Sequence, residues 1–149
     1  MRTPVTSSAE PAALTPAWEA TYPGEAATLR QVRAAVHSWL GGCPVADEVV
    51  LVASELAANA IAHSDSGQPG GTFTVRLGHA CGDHVRVEVQ DLGSAWDGDL
   101  TAGAWHPHGL WLVTALSTAC GTARGPGRSR LVWARVPDPA STVRTASAP

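Results

Sequence analysis

The sequence predicts an α+β fold, a two-layer sandwich in which a mostly antiparallel mixed sheet carries helices on one face. Three observations predict it. Two runs, Glu25 to Leu40 and Ala46 to Ser64, repeat apolar residues at three- and four-residue steps, as helices with one buried face do. Two alternating runs, Thr72 to Leu77 and His84 to Asp91, flank a Cys81-Gly82-Asp83 turn and read as a hairpin. A second hairpin, Thr122 to Arg124 and Arg130 to Val136, closes on Gly125-Pro126-Gly127.

The elements follow in order. Residues 1–17 are mostly Thr, Ser, Ala and Pro and are expected to be a disordered lead-in. Trp18 to Tyr22 alternates as a short edge strand and stops at Pro23-Gly24. In Glu25 to Leu40, Leu29, Val32, Val36 and Leu40 share a face, and Gly41-Gly42 ends the helix. Pro44 precedes the next helix, whose first turn carries Asp47 and Glu48 at the positive end of the dipole. Asp65 to Gly71 has loop composition. In the first hairpin Phe73, Val75 and Leu77 face Val85, Val87 and Val89. A glycine-rich segment, Leu92 to Pro107, leads to a helix-like run from Gly109 to Ala119. Residues 137–149 return to a disordered composition, so one domain is expected over residues 18–136.

Composition removes several functions. The chain has 149 residues, 44% hydrophobic and 15% charged, with a net charge of −3. That balance offers no basic field for nucleic acid. All 10 basic residues are arginines. Without lysine there is no Walker-type phosphate loop and no Schiff-base chemistry. Cys43, Cys81 and Cys120 form no C-x-x-C pair, so reduced thiols are expected. No apolar run approaches membrane-spanning length, and Arg2 is followed by no signal-peptide core. A cytoplasmic protein with no membrane partner is the expectation.

Chemistry concentrates in three places. On the Ala46 to Ser64 helix, Glu55, Asn59 and His63 stand four apart as a polar stripe beside the apolar face. Asn59 is the sole asparagine and sits mid-helix between alanines, although Asn favours caps and turns. The stripe reads either as the wet side of a half-buried helix or as a ligand stripe. In the second reading a carboxylate base lies one turn from an amide oxygen suited to hydrated magnesium. Asp91-Leu92-Gly93 ends a valine strand, where Asp-x-Gly is also an ordinary turn. His108-Gly109-Leu110 opens a helix, where glycine is also a tolerated cap.

In this order and on these elements, the three resemble the Bergerat-type ATP-binding fold shared by gyrase, Hsp90-type chaperones, histidine kinases and MutL repair proteins. Within that group the chain looks like the small bacterial anti-sigma-factor serine/threonine kinases. Ser54-Glu55-Leu56-Ala57-Ala58-Asn59-Ala60-Ile61-Ala62-His63-Ser64 matches the family's first box, and Gly70 to Val75 and Leu131-Val132-Trp133 read like its strands. The resemblance implies that Asn59 holds the Mg²⁺ that bridges the ATP phosphates, and that Glu55 is the general base. It implies that Asp91 accepts from the adenine amino group, and that Gly93 lets the backbone pass close to the base. Phosphate would meet the backbone of Gly109 and Leu110, with His108 beside it. Implied partners are ATP, a sigma factor and a small antagonist protein, and family members often form homodimers through the sheet edge.

The chain departs from that pattern. The Gly-rich boxes read Asp91-Leu92-Gly93-Ser94-Ala95 and Pro107-His108-Gly109-Leu110, with Ala95 in place of a glycine. Pro107 lacks a backbone donor, and His108 is a weaker cation at neutral pH than the family's arginine. A threonine near the base becomes Leu131. These changes keep a second reading open: a weak or inactive nucleotide-binding module that acts by holding a regulatory protein. A third, outside the resemblance, is an α+β domain with an apolar small-molecule pocket. His106-x-His108 has no third metal ligand nearby, and Ser117 and Ser129 have no base nearby in sequence. Trp96, Trp105 and Trp111 read as a lid, a partner patch or core filler.

Overall fold

The computed structural model describes residues 5–6, 17–80, 84–94 and 110–138. Its strands are β1 (Val5–Thr6), β2 (Trp18–Pro23), β3 (Thr72–Ala80), β4 (His84–Asp91), β5 (Ala119–Arg124) and β6 (Arg130–Pro137). Its helices are α1 (Thr28–Leu40), α2 (Ala46–His63) and α3 (Leu110–Leu116), with a 3-10 turn at Asp65–Gly67. The sheet runs β1-β5-β6-β4-β3-β2. Only the β1–β5 pair is parallel. The expected α+β sandwich with a mostly antiparallel mixed sheet is what forms.

Register explains why the helices cover one face. Val75, Val89 and Val132 line up across β3, β4 and β6, and Leu77, Val87 and Ala134 form the next rung. All six side chains are buried, in one cluster with Val32 and Val36 of α1, Val49, Val52 and Leu56 of α2, and Leu110 and Val113 of α3. Because strand side chains alternate, the odd positions of β4 and the even positions of β6 face the helices. The other face is ionic and aromatic. Arg86 Nε donates to Glu88 Oε1 at 2.9 Å, and the Arg86 guanidinium lies 5.1 Å over the Trp133 ring. Glu88 and Trp133 are each 1% exposed. Burial pushes the Glu88 carboxyl above its ordinary value, against the opposing pull of Arg86 and Arg76.

Several boundaries move from the sequence expectation. β2 forms at the sheet edge as expected. α1 starts at Thr28, since Glu25 to Ala27 are spent on turns in which Thr28 N donates to Glu25 O at 2.9 Å. α3 ends at Leu116, not at Ala119. Ser117-Thr118 favours local turns over helix, and Thr118 N already donates to Arg135 O at 2.9 Å, which opens the β5–β6 ladder. β5 therefore begins three residues before Thr122, at Ala119. Within the stretch expected as a lead-in, Val5–Thr6 pairs with Ala119–Cys120, an edge pairing that no short-range pattern announces. The Cys81-Gly82-Asp83 turn lies outside the described residues. Among those residues no helix is long and apolar enough to cross a membrane.

Candidate functional site

α2 carries the first group. Its apolar stripe drives it onto the sheet, and the polar stripe does not stay uniformly wet. Glu55 is half-buried, His63 is exposed, and Asn59 between them is only 4% exposed. The Asn59 Oδ1 is fully buried and has no hydrogen-bond partner among the described residues. A buried amide oxygen left unpaired costs about 1–3 kcal/mol. A solvated face would not show that cost; a ligand position would.

The helix then ends in a polar hinge. Ser64 takes an extended backbone, its Oγ donates to Ala60 O at 2.6 Å, and Ser66 N donates back to Ser64 Oγ at 3.1 Å. This turns the chain into the Asp65–Gly67 turn, which is stitched to the loop after β4. Asp65 N donates to Gly93 O at 2.7 Å, and Leu92 N donates to the buried Ser66 Oγ at 3.0 Å. The asparagine helix and the Asp91 loop are thereby held as one unit.

Asp91 is 2% exposed. Its Oδ1 accepts from Gly93 N at 2.7 Å, and its Oδ2 accepts from Arg130 Nε at 3.3 Å and Nη2 at 3.2 Å. Burial pushes the carboxyl above its ordinary value; the Arg130 charge and the Gly93 and Arg130 hydrogen bonds pull it back, while Asp65 adds to the rise. Gly93 has φ +72°, and a Cβ built there would lie 1.8 Å from the Arg128 carbonyl oxygen. Glycine is therefore required both by the left-handed backbone and by the close approach of the β5–β6 turn. That turn is fixed by Gly125 N to Ser129 O at 2.9 Å and by Gln90 Nε2 to Ser129 Oγ at 3.2 Å. Its Arg128 also meets Asp65 at 3.4 Å, an exposed pair that contributes little.

The third element, α3, begins at Leu110. Leu110 is fully buried, and α3 packs on α2, β5 and β6. His108 and Gly109, expected to meet phosphate, lie outside the described residues, as do Ala95, Trp96, Trp105, His106 and Pro107. Trp111 is exposed. The structure thus brings Glu55, Asn59, Asp91 and Gly93 onto two elements joined by one turn, with Leu110 on a helix that packs against the first.

Sequence reasoning missed Arg130 and Ser66. It also placed Leu131 beside the base. Leu131 pairs with Gln90 and stands on the face away from the helices, so the β6 residue that reaches Asp91 is Arg130. The missing signal was the β4–β6 pairing. These strands are distant in sequence, and no hairpin rule joins them. Ser66 lay in a stretch that composition marks only as loop.

The donor set suits a magnesium nucleotide. Magnesium takes oxygen ligands, the class to which the Asn59 amide oxygen belongs, and an ionised carboxylate such as that of Asp91 is an acceptor for an amine. Residues 22–135 match the family described as the histidine kinase-like ATPase domain. Comparison with curated proteins finds no matching relative. The match spans most of the chain, so the chain belongs to that family, and ATP binding follows at the level of the domain.

Proposed function

We propose that this histidine kinase-like ATPase domain is a regulatory protein serine/threonine kinase of the anti-sigma-factor type. It would act in the cytoplasm, phosphorylate a small antagonist protein and hold a sigma factor when unphosphorylated. The observation that carries the reading is the buried, unpartnered Oδ1 of Asn59 one helical turn after Glu55.

In this reading Asn59 holds the magnesium ion, whose charge supports the phosphates when it is bound. Asp91 accepts from the adenine amino group, and Gly93 keeps the loop beneath the base. The backbone of Gly109 and Leu110, with His108, meets phosphate. Glu55 takes the proton from the antagonist's serine or threonine hydroxyl as that oxygen attacks the γ-phosphorus and the bond to the bridging oxygen breaks, releasing ADP. The protein's contribution is positioning and charge. Edge strand β2 offers a place for a homodimer contact.

The test is calorimetric titration with ATP, with and without Mg²⁺, followed by transfer from labelled ATP to the antagonist. Magnesium-dependent binding lost in Asn59→Ala, with transfer lost in Glu55→Gln, supports the kinase. Pro107, His108 and Ala95 favour a second reading, a module that binds nucleotide without turnover to set a surface for its partner. Intact ATP binding with no transfer selects it. Absence of any heat with ATP removes both.

A further inference from the structure

The ion pair between Arg130 and Asp91 joins two strand ends that are neighbours only through the β4–β6 register. The Asp91 carboxylate accepts three hydrogen bonds: one from Gly93 N on Oδ1, and two from the Arg130 guanidinium on Oδ2. A carboxylate has about four lone-pair acceptor sites. One remains, on a group whose plane is pinned from both sides and which has almost no contact with water.

We infer that Arg130 is a positioning residue that sets base selectivity, by holding Asp91 as a pure acceptor with one open site for a 6-amino purine. This rests on the ATP reading above and deepens it. An ionised carboxylate accepts from the exocyclic amine of adenine, and it repels the 6-oxo group of hypoxanthine or guanine, which is itself an acceptor. A protonated carboxyl would instead donate to that oxygen. Burial favours the protonated form, and the nearby Asp65 carboxylate adds to that bias. Arg128, from the β5–β6 turn, meets Asp65 and not Asp91. Arg130 alone among the described residues gives Asp91 a charged partner at hydrogen-bond distance.

The experiment titrates the full chain with ATP and with ITP, in magnesium, for wild type, Arg130→Met, Arg130→Gln and Arg130→Lys. Wild type should prefer ATP by about tenfold to a hundredfold, the range of a hydrogen bond to a charged acceptor. Arg130→Met should narrow the ratio to within about threefold, and Arg130→Lys, which keeps the charge and loses the two-pronged contact, should give a ratio between those of Arg130→Met and wild type. Should Arg130→Met not fold, Arg130→Gln, which keeps a donor and drops the charge, should still narrow the ratio. A ratio unchanged in either neutral variant, even with both affinities lowered equally, overturns the inference and leaves ATP binding standing. A wild-type ratio near unity also overturns it. Failure of wild type to bind either nucleotide instead defeats the ATP reading itself.

Discussion

Replacing Asn59 by alanine should make the ligand-free protein more stable while destroying its response to magnesium nucleotide. The buried Oδ1 has no partner among the described residues, so its removal relieves a desolvation penalty of about 1–3 kcal/mol. Asparagine inside a helix also costs up to about 0.7 kcal/mol relative to alanine. Against this stands the lost packing of a small side chain, about 1 kcal/mol. The net expectation is a gain of about 1–2 kcal/mol, or roughly 2–8 °C in melting temperature for a chain of this length. Scanning calorimetry reads this directly. Wild type at a ligand concentration of a hundred times Kd should gain about 2.7 kcal/mol, and only with magnesium. The variant should gain none of it. A variant that melts below wild type would mean the amide supports the fold and is not held open for a ligand. A variant that keeps the full magnesium-dependent shift would refute the site assignment. The expected pattern is a stability–function trade-off, in which a group is tolerated because of what it binds.

Other substitutions follow from the same geometry. Gly93→Ala should cost about 3 kcal/mol in urea denaturation: the left-handed backbone costs about 1 kcal/mol, and the new Cβ must be moved from 1.8 Å to beyond 3.0 Å from the Arg128 carbonyl. A cost under about 1 kcal/mol would mean that the loop relaxes freely. Glu88 gives a pH signature. Its folded-state pKa is raised by burial, so the folded chain holds the proton more tightly than the unfolded chain. The stability it contributes is complete below the ordinary carboxylate pKa and is lost as pH rises through the raised value. Denaturation at pH values from below the ordinary carboxylate pKa to above it should therefore show wild type losing stability with rising pH relative to Glu88→Gln; a constant difference would refute this. Cys120 is fully buried and its thiol is pushed up to about 11. A disulfide reagent at mild alkaline pH should leave it unmodified until the protein unfolds, as peptide mapping would show; modification in the native protein would mean that the β1–β5 pairing opens.

Local pattern carries most of the secondary structure here. The α2 stripe, the valine alternation of β4 and the turn at Gly125-Pro126-Gly127 are each written within a dozen residues, where periodicity reports directly on burial. The boundaries that moved are those set by distant partners. β5 is weakly marked, with Ala119, Cys120, Gly121 and Ala123, and it starts where β6 begins to accept its hydrogen bonds. The candidate site shows the same division. Asn59 stands out because an amide sits mid-helix where local rules disfavour it, whereas Glu55, Asp91 and Gly93 are locally ordinary and were legible only through the order of the motifs.

What the chain order alone determined was therefore the inventory: an amphipathic helix with an amide in it, an aspartate-glycine strand end and a short later helix that includes Leu110. Only folding decided that the amide would be buried and unpaired, and that Ser66 would tie its helix to the Asp91 loop. Only folding chose Arg130, not Leu131, to face Asp91. The reason is geometric. A one-residue change of register sends every side chain of a strand to the other face, and the register of two strands separated by a helix is set by the whole packed core.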